Sequence, residues 1–118
     1  MSKRAELALV RLEVDPAKLV DYLLSRSHPL GQKKARFFRA LGFRAEAAEE
    51  LEEAVVVHGR ENPVAYREET RFGTKYVVDG PFRPRSGEQV ELRSVWFVET
   101  GSGVARFVTA YPTGRRRS

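Results

Sequence analysis

The hydrophobic pattern changes its period at Pro63, and this change constrains the fold more than any other feature of the sequence. Before Pro63, apolar residues recur at helical spacing. After it, short runs rich in β-branched and aromatic residues are separated by glycine-containing turns. Four such runs predict strands, at residues 64–70, 75–82, 89–99 and 104–111. Their short connections predict an antiparallel meander, with the preceding helices covering one face.

Three helices are expected before Pro63. The first is predicted to begin at Asp15-Pro16, an N-cap followed by a first-turn proline, and to end near residue 25. The second runs from Pro29 to Leu41, and Gly42 is a suitable stop.

The third helix covers residues 45–58 and is predicted to end at Gly59, with His58 on its inward face as a structural residue. Alternation over residues 9–14 offers a short N-terminal strand as an optional addition. The predicted fold class is α+β, with three N-terminal helices packed on one face of a four-stranded antiparallel sheet.

Composition sets the class of protein. A chain of 118 residues, 42% of them hydrophobic, can bury a core without disulfides or a structural metal. Residues 1–113 are expected to form one domain and residues 114–118 a basic, disordered tail. The sequence has no cysteine and two histidines, which argues against zinc, iron–sulfur and thiol chemistry, and no metal or cofactor is expected. No stretch is long and apolar enough for a membrane span, so a cytoplasmic protein is the expectation.

The positive charge is concentrated in one stretch. The net charge is +5, but three of these charges lie in the tail at residues 115–117. Residues 22–45 contain no acid and hold six cations, namely Arg26, Lys33, Lys34, Arg36, Arg39 and Arg44. Such a patch attracts phosphate-rich partners or acidic protein surfaces. The alternative is a solvated helix face.

Two side chains of the second predicted helix are candidates for chemistry. On a helical wheel Lys34 falls about 40° from Leu30, inside the apolar stripe, where lysine either extends its amine to solvent or serves a site. His28 lies at the start of the same helix, where free backbone N–H groups favour an anion. A capping or surface role is the alternative for His28.

The last strand offers a second group. Thr109 and Tyr111 are two residues apart and share a face, and Arg93 joins them if the register permits. These residues also suit ordinary cross-strand pairs. Histidine, lysine, arginine, threonine and tyrosine without metal ligands suit RNA cleavage through the 2′-hydroxyl, where an acid, a base and cations around the phosphate suffice.

Several segments of residues 16–112 resemble a bacterial domain family of unknown function, which occurs as small stand-alone proteins and at the C-terminus of phage-head and polymorphic-toxin proteins. The segments are Lys18-Leu19-x-x-Tyr22-Leu23-Leu24, His28-Pro29-x-Gly31-x-x-Lys34-Ala35-x-Phe37-Phe38-x-x-Leu41-Gly42-Phe43, Gly73-x-x-Tyr76, Val95-Trp96 and Val108-Thr109-Ala110-Tyr111-Pro112. The order of helices followed by four strands is also similar to the barnase, EndoU, colicin and RelE-like ribonuclease group. This second resemblance implies a site built from His28, Lys34, Thr109 and Tyr111, by analogy of fold.

Two functions follow as hypotheses. The first is a metal-independent RNA-binding or RNA-cleaving protein of toxin type. In it His28 is the acid or base, Lys33, Lys34 and Arg93 bind phosphate, and Thr109 and Tyr111 position the substrate. The second is a non-catalytic module that binds an acidic protein, of antitoxin or immunity type, through the basic patch or a sheet edge. The sequence leaves the oligomeric state open.

Overall fold

The computed structural model describes residues 10–20, 32–84, 87 and 89–113, and of residues 32–35 the backbone alone. In chain order its elements are β1 (Arg11–Glu13), α1 (Pro16–Lys18), α2 (Gln32–Ala40), a 3-10 turn (Ala45–Ala47), α3 (Ala48–Glu61), β2 (Val64–Glu69), β3 (Gly73–Phe82), β4 (Val90–Glu99) and β5 (Val104–Pro112). None of the helices within these residues is long and apolar enough to cross a membrane.

The sheet has five strands in the order β1-β5-β4-β3-β2. Strands β2 to β5 form the predicted antiparallel meander. Strand β1 adds to its far edge, parallel to β5, with Leu12 opposite Ala105. The predicted four-stranded antiparallel sheet is therefore wrong, because the sheet is mixed and has five strands. A β5 edge without β1 would leave backbone N–H and C=O groups unpaired. The helices connect β1 at one edge of the sheet to β2 at the opposite edge. A long connection of this kind permits the parallel pairing of β1 with β5, which a short hairpin would not.

The described α-helices also differ from the predicted ones in their bounds, and α1 is a single short turn. Asp15 caps α1 by accepting a hydrogen bond from the Ala17 N–H at 3.0 Å, but α1 spans three residues. The predicted continuation to residue 25 reaches beyond the described residues after position 20. Helix α2 ends as predicted: Gly42 has φ +100°, and the N–H groups of Gly42 and Phe43 bond back to the carbonyls of Arg39 and Phe38.

Helix α3 runs past the predicted stop at Gly59 and ends at Glu61. Gly59 lies inside the helix and packs directly against the indole of Trp96. A Cβ at position 59 would lie 2.7 Å from Trp96 Cζ2. The glycine therefore permits close packing of helix on sheet rather than ending the helix.

The hydrophobic core fills the space between α3 and one face of the sheet. Leu51 and Val55 of α3 are completely buried there with Trp96 of β4. Helix α2 joins on the same side, since the rings of Phe38 and Phe82 lie 6.0 Å apart, centroid to centroid. All described helical packing thus falls on one face of the sheet.

Candidate functional site

The second face of the sheet, here called the open face, is covered by no helix or strand among the described residues. Side chains alternate along β4, so that Leu92, Ser94 and Trp96 point into the core and Arg93 and Val95 point to the open face. Strand pairing places Asp79 and Tyr111 on either side of Arg93. The open face is therefore a row of strand side chains whose positions are fixed by the sheet register.

Arg93 is the centre of a polar cluster on the open face, which we call the Arg93 cluster: Tyr66, Asp79, Arg93 and Tyr111. Its Nε and Nη2 atoms each donate to an oxygen of Asp79 at 2.8 Å, a bidentate geometry. Its guanidinium carbon lies 5.7 Å from the ring centroid of Tyr66. Hydrogen bonds to Asp79 and then to Tyr111 raise the pKa of Arg93. The cluster holds a permanent cation between two tyrosines.

The open face is balanced in charge rather than basic. Its described cations are Arg11, Lys75, Arg93 and Arg106, and its acids are Glu13, Glu68, Asp79, Glu91 and Glu99, which gives 4 − 5 = −1. Several of these charges pair across strands: Lys75 Nζ lies 3.0 Å from Glu68, a contact that raises the pKa of Lys75. The described part of this surface therefore lacks the excess positive charge that binds a phosphate backbone.

The His58 side chain is buried between α3 and the sheet. Its Nε2 atom lies 3.0 Å from the Leu92 carbonyl and 3.2 Å from the Gly80 carbonyl. Carbonyls only accept, so Nε2 carries the proton. Nδ1 then accepts from the Ser94 hydroxyl at 2.8 Å, and that hydroxyl accepts from Trp96 Nε1 at 2.9 Å. Burial lowers the pKa of His58, and the neutral ring satisfies every partner. The structural role predicted for His58 agrees with this geometry.

The structure gathers part of the predicted site. Arg93 pairs with Tyr111, and Thr109 is opposite Val95, so the strand register places Arg93, Thr109 and Tyr111 on one face. Helix α2, whose backbone includes Lys33 and Lys34, packs on the core side of the sheet. His28 lies outside the described residues. The backbone therefore does not bring α2 and the strand residues to one face, and the catalytic roles stay predictions.

Sequence reasoning missed Asp79 and Tyr66. Alternation along β3 indicates the face of Asp79, but alternation along β2 would place Tyr66 on the core face with Val64, because it gives no sign of the irregularity between them. Their meeting with Arg93 depends on the β3–β4 register and on the irregularity between Val64 and Tyr66 in β2. A bulge of this kind shifts every later side chain by one position.

The family model described as "Domain of unknown function (DUF6883)" matches residues 6–114. No curated protein matches the sequence at a significant level.

The fold is similar to that of a chain in a solved structure, a contact-dependent growth inhibition toxin–immunity protein complex from Klebsiella pneumoniae 342. The TM-score is 0.65 at 24% sequence identity, and the alignment covers 85% of the present chain and 98% of that chain. The likeness establishes a shared fold. The predicted ribonuclease resemblance stays a prediction.

Proposed function

The chain belongs to the DUF6883 family of domains of unknown function, and from this starting point we propose that it is one member of a toxin–immunity pair and acts by binding its protein partner through the open face of the sheet. The single observation that carries the proposal is the Arg93 cluster, a fixed arginine flanked by tyrosines on a face that no described element covers. The structural neighbour, a chain from a toxin–immunity complex, agrees with a role of this type.

The composition of the Arg93 cluster favours a protein partner. Arginine and tyrosine dominate the few residues that carry most of the binding energy in protein interfaces. Tyr66 is 49% exposed, so its ring is available to a partner. The Asp79 carboxylate and the Tyr66 ring hold the guanidinium of Arg93 in place before binding, so little side-chain entropy is lost on association.

The net charge of the described open face favours a protein partner over an RNA substrate. Asp79 already neutralises Arg93 with two hydrogen bonds, and the described open face has no net positive charge. A protein surface with alternating charges complements such a face, whereas a phosphate chain requires unpaired cations.

RNA is nevertheless the second candidate, because Arg93, Thr109 and Tyr111 share the open face and aromatic rings stack on unpaired bases. In that case His28 would supply the acid or base, and Lys34 would bind phosphate only in a conformation that brings α2, which packs on the core side of the sheet here, to the open face. This candidate requires activity on RNA that falls when either residue is replaced by alanine.

The test begins with capture of the partner from the native host by the wild-type chain. The captured protein is then identified and purified, and its dissociation constant is measured. We expect Arg93→Ala to weaken binding roughly 10- to 100-fold. Arg60→Ala is the matched control, because Arg60 is exposed on α3, on the helical side of the sheet, and it should leave the affinity unchanged.

The same proteins are incubated with total RNA. Cleavage by the wild type that is lost in His28→Ala and Lys34→Ala, with no protein partner affected by Arg93→Ala, replaces the proposal by the RNA hypothesis. Equal affinity of the Arg93→Ala and wild-type chains for the partner also refutes the proposal that the open face binds it.

A further inference from the structure

The turn between β2 and β3 presents an aromatic ring to solvent. Phe72 is 70% exposed, more than any other large hydrophobic residue among those described. Single exposed apolar residues are common on protein surfaces. Phe72 differs from most of them because its turn is tightly held, as the hydrogen bonds show.

Thr70 fixes the turn with its hydroxyl. Thr70 Oγ1 accepts from the N–H groups of Phe72 at 3.1 Å and Gly73 at 3.2 Å, and donates to the Gly73 carbonyl at 2.9 Å. The neighbouring turn adds a further bond, from the Thr100 N–H to the Phe72 carbonyl at 3.0 Å. The ring is therefore held out in water by an ordered backbone rather than exposed on a loose loop.

Arg71 adds a charge beside the ring. Its guanidinium carbon lies 5.5 Å from the Phe72 ring centroid, and no carboxylate within the described part of the chain forms an ion pair with it. The pair thus offers an apolar ring and an uncompensated cation at one projecting point. The complementary surface is an apolar pocket with carboxylates at its rim.

We propose that Phe72 is an anchor residue that inserts into an apolar, acid-rimmed pocket of the protein partner, an inference that rests on the proposed function. Phe72 lies six positions after Tyr66, so their Cα atoms are at most about 20 Å apart. A standard interface of about 800 Å² per partner is roughly 30 Å across. One partner can therefore cover both the Phe72 turn and the Arg93 cluster.

Site-specific photocrosslinking in the native host tests this inference. The photoreactive residue p-benzoylphenylalanine replaces Phe72, Tyr66 or, as control, Val57, which is 41% exposed on α3. We expect positions 72 and 66 to crosslink to the same protein and position 57 to give no such adduct. Because all three side chains are exposed, the substitutions are compatible with the fold.

The outcomes distinguish the two proposals. A crosslink at position 66 without one at position 72 overturns the anchor role of Phe72 and leaves the proposed function standing. No crosslink at either position contradicts both. A crosslink from position 72 to a second copy of the same chain overturns the inference in favour of self-association.

Affinity gives the second measurement, with the crosslinked protein produced in pure form. We expect Phe72→Ala to weaken binding roughly 10- to 100-fold, Arg71→Glu to weaken it through charge reversal, and Val57→Ala to have no effect. Equal affinity of Phe72→Ala and the wild type, with unchanged melting temperatures, would overturn the inference.

Discussion

Replacement of Ser94 by alanine tests the core network that seats α3 on the sheet. Ser94 is completely buried, and its hydroxyl is shared by His58 Nδ1 at 2.8 Å and Trp96 Nε1 at 2.9 Å. The substitution removes one oxygen and leaves almost no cavity. It does leave an imidazole nitrogen and an indole N–H buried without partners.

The expected loss follows from these two orphaned groups. A buried polar group left unpaired costs about 1–3 kcal/mol. We therefore expect Ser94→Ala to lower the free energy of unfolding by about 2–4 kcal/mol, out of a total of about 5–15 kcal/mol for a domain of this kind. The thermal midpoint should fall by about 10 °C.

Urea denaturation followed by circular dichroism measures this difference in the free energy of unfolding. An unchanged m-value shows that the substitution does not alter the surface area exposed on unfolding. Ser102→Ala is the matched control, because the Ser102 hydroxyl accepts one hydrogen bond from the Val104 N–H near the surface. It should cost less than about 1 kcal/mol. A Ser94→Ala protein within about 0.5 kcal/mol of the wild type would refute the network described for His58.

Two further predictions concern α3. Because burial lowers the folded-state pKa of His58 below its ordinary value of 6.5, the unfolded chain binds the proton first, so the stability contributed by His58 is complete above about pH 6.5 and is lost as pH falls toward the folded pKa. Urea denaturation at pH 7 and pH 5 should show this loss in the wild type and in His28→Ala but not in His58→Gln, and an equal loss in His58→Gln would contradict it. Gly59→Ala places a Cβ 2.7 Å from the Trp96 ring and should destabilise the protein by about 1–3 kcal/mol, although alanine favours a helix by about 1 kcal/mol. The fluorescence of Trp96, the single tryptophan, should shift with it, and a stabilised Gly59→Ala protein would show that the close contact is absent.

Local patterns in the sequence were sufficient for much of the meander. The two-residue spacing of Thr109 and Tyr111 predicts that they share a face, and the β4–β5 register agrees with this. Gly42 was correctly interpreted as a helix stop, since a positive φ is a local requirement. Each of these features depends on a few neighbouring residues.

The errors arose where distant segments meet. Alternation over residues 9–14 offers an optional strand, and β1 lies there, but nothing local reveals that Leu12 pairs with Ala105. The sequence therefore predicts a four-stranded, wholly antiparallel sheet. Gly59 has the appearance of a helix end until Trp96 occupies the space of its missing side chain. Asp79 became a partner of Arg93 only through the β3–β4 register. The same limitation affects the predicted site, because a shared face for α2 and the strands depends on tertiary packing.

The affinity of the purified partner for the Arg93→Ala chain tests the central claim most directly. Titration calorimetry at constant salt should give a dissociation constant roughly 10- to 100-fold higher than for the wild type, with Arg60→Ala unchanged and all three proteins equally folded. An Arg93→Ala protein that binds as tightly as the wild type would contradict the assignment of the open face as the functional surface.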